Sequence, residues 1–161
     1  MHDLDLPNPD RPIYTPPGGP PRTDRIPPGV YQAMGEAGLM ALASDFYQRL
    51  GKSDIAHMFP KNPEALEQAS AKTGALLVFL CGGPPLYQQR HGPPMLRARH
   101  LPFRIDEHAR QTWLRCLREA TDAAQARGEF PAEYREPFDA FFTAFSAWMV
   151  NAAPEPETPG G

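Results

Sequence analysis

Apolar residues in the middle of this chain recur three and four positions apart, and that spacing constrains the fold more than any other feature. Leu39, Leu42, Phe46 and Leu50 form one stripe, widened by Ala43 and Tyr47. Leu66, Ala69, Thr73, Leu76 and Leu80 form a second. It begins after Asn62-Pro63-Glu64, where Asn caps, Pro fills the first helical position and Glu favours the helix dipole. A third helix is expected to open at Asp106 as cap and to run past Trp113, Leu114 and Leu117 to about Arg127-Gly128, a basic residue and glycine that form the usual stop. A fourth starts near Pro131 and carries Phe138, Phe141, Phe142, Phe145, Trp148 and Met149 on one face. No run alternates apolar and polar residues long enough to make a convincing strand. The expected fold class is all-α, with four long helices and shorter helical turns.

Proline sets the limits of this domain. Of the 21 prolines in 161 residues, nine fall in residues 1–29 and three in 152–161. The first stretch, with Pro16-Pro17-Gly18-Gly19-Pro20-Pro21 and Pro27-Pro28-Gly29, has few large apolar side chains to offset the entropy of ordering it. It reads as a polyproline-like or disordered arm, residues 152–161 as a disordered tail, and residues 30–151 as one domain able to bury its own core.

Sixteen basic against 19 acidic residues leave a formal charge of −3, which provides no overall field for nucleic acid or an anionic membrane. The opening Met1-His2-Asp3-Leu4-Asp5 is acidic where a signal peptide is basic. The longest apolar run, Ala75 to Cys81, is seven residues, far short of a membrane span. Cys81 and Cys116 follow no paired spacing and read as reduced, buried thiols of a cytoplasmic protein.

Between the second and third helices the sequence changes character. Residues 82–105 are punctuated by Gly82-Gly83-Pro84-Pro85, Gly92-Pro93-Pro94 and Pro102, and a connection of that length inside a compact domain is usually functional. Met95 to Arg99 can form one or two helical turns. Pro102 should force Leu101 out of the helical region and end the helix at about His100. A lone histidine at such a terminus is, by itself, more often a satisfied polar residue than a ligand. No His-Glu-x-x-His or paired Cys-x-x-Cys pattern accompanies it. If His100 binds a metal, the remaining equatorial ligands must come from a cofactor, for which haem is the obvious candidate.

The string HGPPMLRARHLPF at residues 91–103, preceded by Gly82-Gly83-Pro84-Pro85-Leu86-Tyr87 and followed by Trp113-Leu114-Arg115-Cys116, resembles the truncated haemoglobins, specifically their second group. The resemblance runs from about Tyr31 to Asn151 and leaves both proline-rich ends outside it. It implies a two-over-two helical sandwich that holds haem b, with His100 as proximal iron ligand. The other ring nitrogen of His100 should then donate to a backbone carbonyl, that of Leu96 one turn earlier. On the opposite face the matching positions are Tyr47, Phe59 and Trp113. The Tyr47 hydroxyl and Trp113 indole N–H are donors suited to a diatomic ligand that gains negative charge on binding. Phe59 stands where many members of the group carry Tyr, so one distal hydroxyl fewer is available.

Counting back from Gly82-Gly83, the resemblance puts the distal gate at Ala69 and the residue one turn later at Thr73. The connection over residues 60–68 looks longer than usual, and extra residues inside the helix would shift both assignments. Arg99 and Lys72 match positions that pair with haem propionates, with Tyr87 and His91 near enough to join them. Arg97 reads as a surface residue, and His57, two residues before Phe59, reads as surface or as a second iron ligand in the absence of gas.

The resemblance implies a haem protein that reversibly binds dioxygen, carbon monoxide or nitric oxide at a single iron, as a monomer or homodimer. A second reading is an enzyme consuming nitric oxide or peroxide with an external reductant. The sequence holds no flavin or nicotinamide domain, so a reductase would be a separate protein. A third is a haem-free helical interaction module that uses the aromatic face of the fourth helix.

Overall fold

In a computed structural model of the chain, residues 11–153 are described. The acidic opening and the run from Pro154 to Gly161 lie outside the described residues. Six α-helices follow one another: α1 (Gly29–Leu50), α2 (Pro63–Leu80), α3 (Leu86–His91), α4 (Leu96–His100), α5 (Glu107–Ala126) and α6 (Arg135–Met149). Among the described residues there is no strand. The four long helices are those that apolar spacing marks out. Helix α1 packs chiefly on α2 and next on α5, and α5 packs on α6.

The helix ends follow the expected chemistry. The Asn62 side chain accepts from the N–H groups of Glu64 and Ala65 at 2.8 and 3.2 Å, and that of Asp106 accepts from Ala109 N–H at 2.9 Å. Helix α2 ends with Gly82 at φ +99°, its N–H bonded to Phe79 and that of Gly83 to Val78, so the orphan carbonyls of the last turn are taken up. Helix α5 closes in the same way at Gly128, with Gly128 N–H on Gln125 and Glu129 N–H on Ala124. Helix α1 is not continuous: Gly35 sits at φ 67°, ψ 179°, which breaks it into a short first piece and a long second one.

Two expectations are corrected by the backbone. Leu101 keeps a helical conformation (φ −57°, ψ −31°) although Pro102 follows it. Helix α4 still ends at His100, because Pro102 has no N–H to give the Ala98 carbonyl, which takes Leu101 N–H instead. In α2 the most buried positions are not the predicted stripe. Of the predicted stripe only Leu66 is buried, beside Ser70, Gly74, Ala75, Leu77 and Val78, and a Cβ on Gly74 would overlap Met40 Sδ of α1. Small residues at that contact let the two helices approach closely, and they carry no hydrophobic signal for a periodicity argument to detect.

The core itself is as the stripes predict, with Leu39, Leu42, Phe46, Leu50, Phe138 and Phe142 all buried. Phe46 meets Trp113 edge to face at 5.2 Å between centroids, and Trp113 meets Phe142 at 6.1 Å, linking α1, α5 and α6 through aromatic contacts. Cys81 and Cys116 are both buried and free, and burial pushes the Cys81 thiol up to about 12.

Residues 11–28 carry no helix or strand, yet several are fastened to the domain. Ile26 is 2% exposed, Tyr14 N–H donates to the Asn151 carbonyl at 3.0 Å, and Pro20 and Pro21 line a groove with α4 and α6. Composition alone did not anticipate these contacts. The proline-rich stretch gains them through single side chains and backbone groups rather than through an apolar face.

Candidate functional site

Helix α4 is five residues long, preceded by Pro93-Pro94 and started by Met95 in the left-handed region at φ 40°. Its last residue is His100. The His100 Nδ1 lies 2.6 Å from the Leu96 carbonyl oxygen, the partner expected from one turn of helix. A carbonyl can only accept, so the Nδ1 carries the proton and Nε2 is the nitrogen left with a lone pair. Burial holds the His100 ring below the usual histidine value, the Leu96 bond opposes that shift, and the Lys72 charge adds to it. The result is a neutral imidazole whose Nε2 makes no hydrogen bond among the described residues.

His100 borders a cavity of about 340 Å3 together with Tyr47, Phe59, Ala69 and Trp113, so five of the predicted site residues meet there from α4, α1, the α1–α2 connection, α2 and α5. The rest of the wall is chiefly apolar, with Ile55, Met58, Ile105, Phe145 and Met149. Tyr47 packs edge to face on Phe46 and Phe59, at 5.5 and 5.6 Å, and its hydroxyl lies 2.7 Å from Thr73 Oγ1. Burial raises the Tyr47 phenol above its ordinary value, against the lowering effect of the Thr73 bond. Trp113 stacks on Phe145 at 6.3 Å, and its indole N–H has no hydrogen-bond partner among the described residues.

The remaining predicted residues sit apart from the cavity wall. Tyr87 is 3% exposed, under the Arg99 guanidinium at 5.7 Å from its ring centre and beside the His91 ring at 5.2 Å. Arg99 Nη2 donates to the carbonyls of His91 and Pro93, both at 2.9 Å, which folds the Gly-Pro-Pro turn onto α4. Arg99 Nε and the nearby Gln88 Oε1 are buried without a partner. Lys72 is exposed, and close enough to His91 and His100 to depress both rings by its charge. His57 is exposed and forms no part of the cavity wall.

Arg97 departs from its surface reading. It is half-buried, donates to the carbonyls of Trp148, Val150 (2.9 Å) and Tyr14 (2.8 Å), and stacks over the Trp148 ring at 4.6 Å. Sequence reasoning also missed Arg110, a cavity-wall residue whose guanidinium is satisfied by Ser146, Glu107 and the Thr143 carbonyl. Neither arginine could be placed from spacing, because their partners are mostly backbone carbonyls and hydroxyls distant in sequence.

This arrangement fits haem. Among the described residues no group of three or more His, Cys, Asp or Glu gathers that could hold a metal ion. A planar cofactor that supplies its own equatorial nitrogens needs one neutral imidazole, apolar walls and donors on the far side. The free Nε2, the apolar lining and the unpartnered indole N–H meet those needs. Two packed helix pairs around such a cavity define a globin of the two-over-two class.

Comparison with known proteins agrees. A family model described as bacterial-like globin matches residues 29–149. The group 2 truncated haemoglobin YjbI of Bacillus subtilis is 40% identical over 99 residues, which span 62% of this chain and 74% of that protein. The group 2 truncated haemoglobin 3-1 of Lotus japonicus is 31% identical over 97 residues, 59% of this chain and 57% of the plant protein. Among solved structures, phosphate-bound Hell's gate globin IV superposes with a TM-score of 0.77 at 35% identity, covering 82% of this chain and 80% of that one. The group II truncated haemoglobin from Bacillus anthracis superposes with a TM-score of 0.70 at 32% identity, covering 85% and 97%. The chain belongs to the bacterial-like globin family, as a truncated haemoglobin of the second group. As a globin it is a haem protein.

Proposed function

We propose that this globin binds dioxygen and other diatomic gases reversibly at one haem b iron held by His100. The observation that carries the reading is one cavity lined both by His100, whose Nε2 makes no hydrogen bond, and by Tyr47 and Trp113, whose O–H and N–H can donate. When bound, the haem supplies a ferrous iron able to take up a gas molecule. Everything else in the proposal concerns the protein.

The Leu96 carbonyl fixes the His100 tautomer and ring angle, and burial keeps the ring neutral, so Nε2 remains a ligand over the physiological range. Tyr47 and Thr73 share one hydrogen bond in which either hydroxyl can donate, and when Thr73 donates the phenol proton is left for a ligand in the cavity. The Trp113 N–H is a second donor already without a competitor. Both sit in an apolar enclosure, where a hydrogen bond to a partly negative gas ligand is stronger than in water. Ala69 puts a side chain of one carbon at the gate, which leaves the route past α2 open. The Lys72 ammonium, exposed and near enough to His100 to lower its pKa, can add positive charge beside a propionate.

Two donors predict slow release of dioxygen. Tyr47→Phe and Trp113→Phe should each speed the oxygen dissociation rate by about tenfold, the effect of one hydrogen bond to a charged acceptor. Stopped-flow measurement on the haem-loaded protein tests this. Rates unchanged in both variants would contradict the reading.

A further inference from the structure

The segment that follows His100 is held from outside the globin helices. Asn151, fully buried just after α6, donates through Nδ2 to the carbonyls of His100 (3.1 Å) and Phe103 (2.9 Å), and accepts through Oδ1 from Ile105 N–H at 2.9 Å. Its own N–H donates to the Ile105 carbonyl at 2.9 Å. One carboxamide therefore fixes residues 100–105 at both ends.

Arg11 closes over this knot from the proline-rich stretch. Its Nη2 donates to the carbonyls of Phe103 and, at 3.3 Å, Leu101, and to Asn151 Oδ1 at 3.1 Å. Its Nη1 is buried without a partner, so the guanidinium is held there at a desolvation cost. Three residues on, Tyr14 N–H donates to the Asn151 carbonyl, and the Tyr14 carbonyl accepts from Arg97 at 2.8 Å. Arg97 lies on α4 itself, one turn before His100. The extended stretch from Arg11 to Tyr14 thus ties the helix that carries His100 to the residues beyond α6.

We propose that Arg11 is a positioning residue for His100: by binding the Leu101 and Phe103 carbonyls and the Asn151 carboxamide, it fixes the end of α4 and with it the angle at which the ring is presented to the cavity. This rests on the reading of His100 as the haem ligand. The physical reason is the shortness of α4. The Leu96 bond sets the ring relative to α4, but a helix of five residues, Leu96–His100, entered through Met95 in the left-handed region and closely followed by Pro102, cannot by its own hydrogen bonds fix how its end sits against the cavity. The orientation must come from neighbours, and the contacts just described supply them on the C-terminal side.

The test is resonance Raman spectroscopy of the full-length, haem-loaded, ferrous protein without gas, together with the rate of haem transfer to an excess of an apoglobin acceptor. Arg11→Ala should shift or broaden the iron–histidine stretching band and speed haem loss by about threefold to tenfold. Arg22→Ala, which removes a charge from the same stretch where no hydrogen bond is made, should match the wild type. An iron–histidine band in Arg11→Ala identical to the wild type would overturn the proposal, whatever the haem-loss rate. A shift shared by Arg22→Ala would overturn it as well, since the effect would then be one of charge. A wild-type protein with no iron–histidine band would overturn the reading of His100 and this inference with it.

Discussion

The Tyr47 phenol shows how a single residue joins stability to function. Burial raises it above the ordinary value of 10.0. Above that value the unfolded chain releases the tyrosine proton while the folded protein keeps it, so the native state binds more protons and stability falls as pH rises. Below it the contribution is fully present. Thermal unfolding of wild type and Tyr47→Phe from about pH 8 to about pH 11 should therefore show the wild type losing stability more steeply with rising pH. Parallel curves would mean that the phenol is not held neutral. At this scale the sequence was informative where the deciding partner is local. The Leu96 carbonyl four residues before His100 is reachable by helical geometry alone. Arg97 reads as a surface residue in the sequence because its partners, the carbonyls of Tyr14, Trp148 and Val150, lie far along the chain.

Helix boundaries were legible because capping is local chemistry: Asn62, Asp106, Gly82 and Gly128 all act on groups within five residues. The close approach at Gly74 was not, since a glycine registers only through what it permits against α1. Gly82 combines both kinds of constraint. It needs φ +99°, and a Cβ there would fall 2.7 Å from Pro28 Cα, a backbone atom that cannot swing aside. Gly35 needs φ +67° but faces open space. Gly82→Ala is expected to cost at least about 2 kcal/mol, from backbone strain plus overlap, and Gly35→Ala about 1 to 2 kcal/mol from strain alone. Urea unfolding of the two variants tests the order. A smaller loss at Gly82 would show that the Pro28 contact yields.

Across the whole molecule, the twelve prolines at the ends and the five between Gly82 and Pro102 have different consequences. The inner ones cut a connection into two short helices and bring His100 to the cavity, and the motif around them is dense enough to read as a truncated haemoglobin of the second group. The outer ones leave no periodic signal, so nothing in composition marks Arg11 or Tyr14 as residues that touch the α4 segment. Such contacts form between single groups 80 or more positions apart, and only the folded chain shows them. The same distance hides the role of Asn151, a polar residue at the very end of the helical domain that is fully buried and satisfies five backbone groups.

The central claim is that one neutral histidine, His100, joins this helical domain to haem. It is tested most directly by absorption spectra of purified wild type and His100→Ala after haem addition, reduction and exposure to carbon monoxide. The account predicts a Soret band in the wild type that shifts with carbon monoxide, and no stable haem uptake by the variant. Normal haem content and a five-coordinate ferrous spectrum in His100→Ala would contradict it.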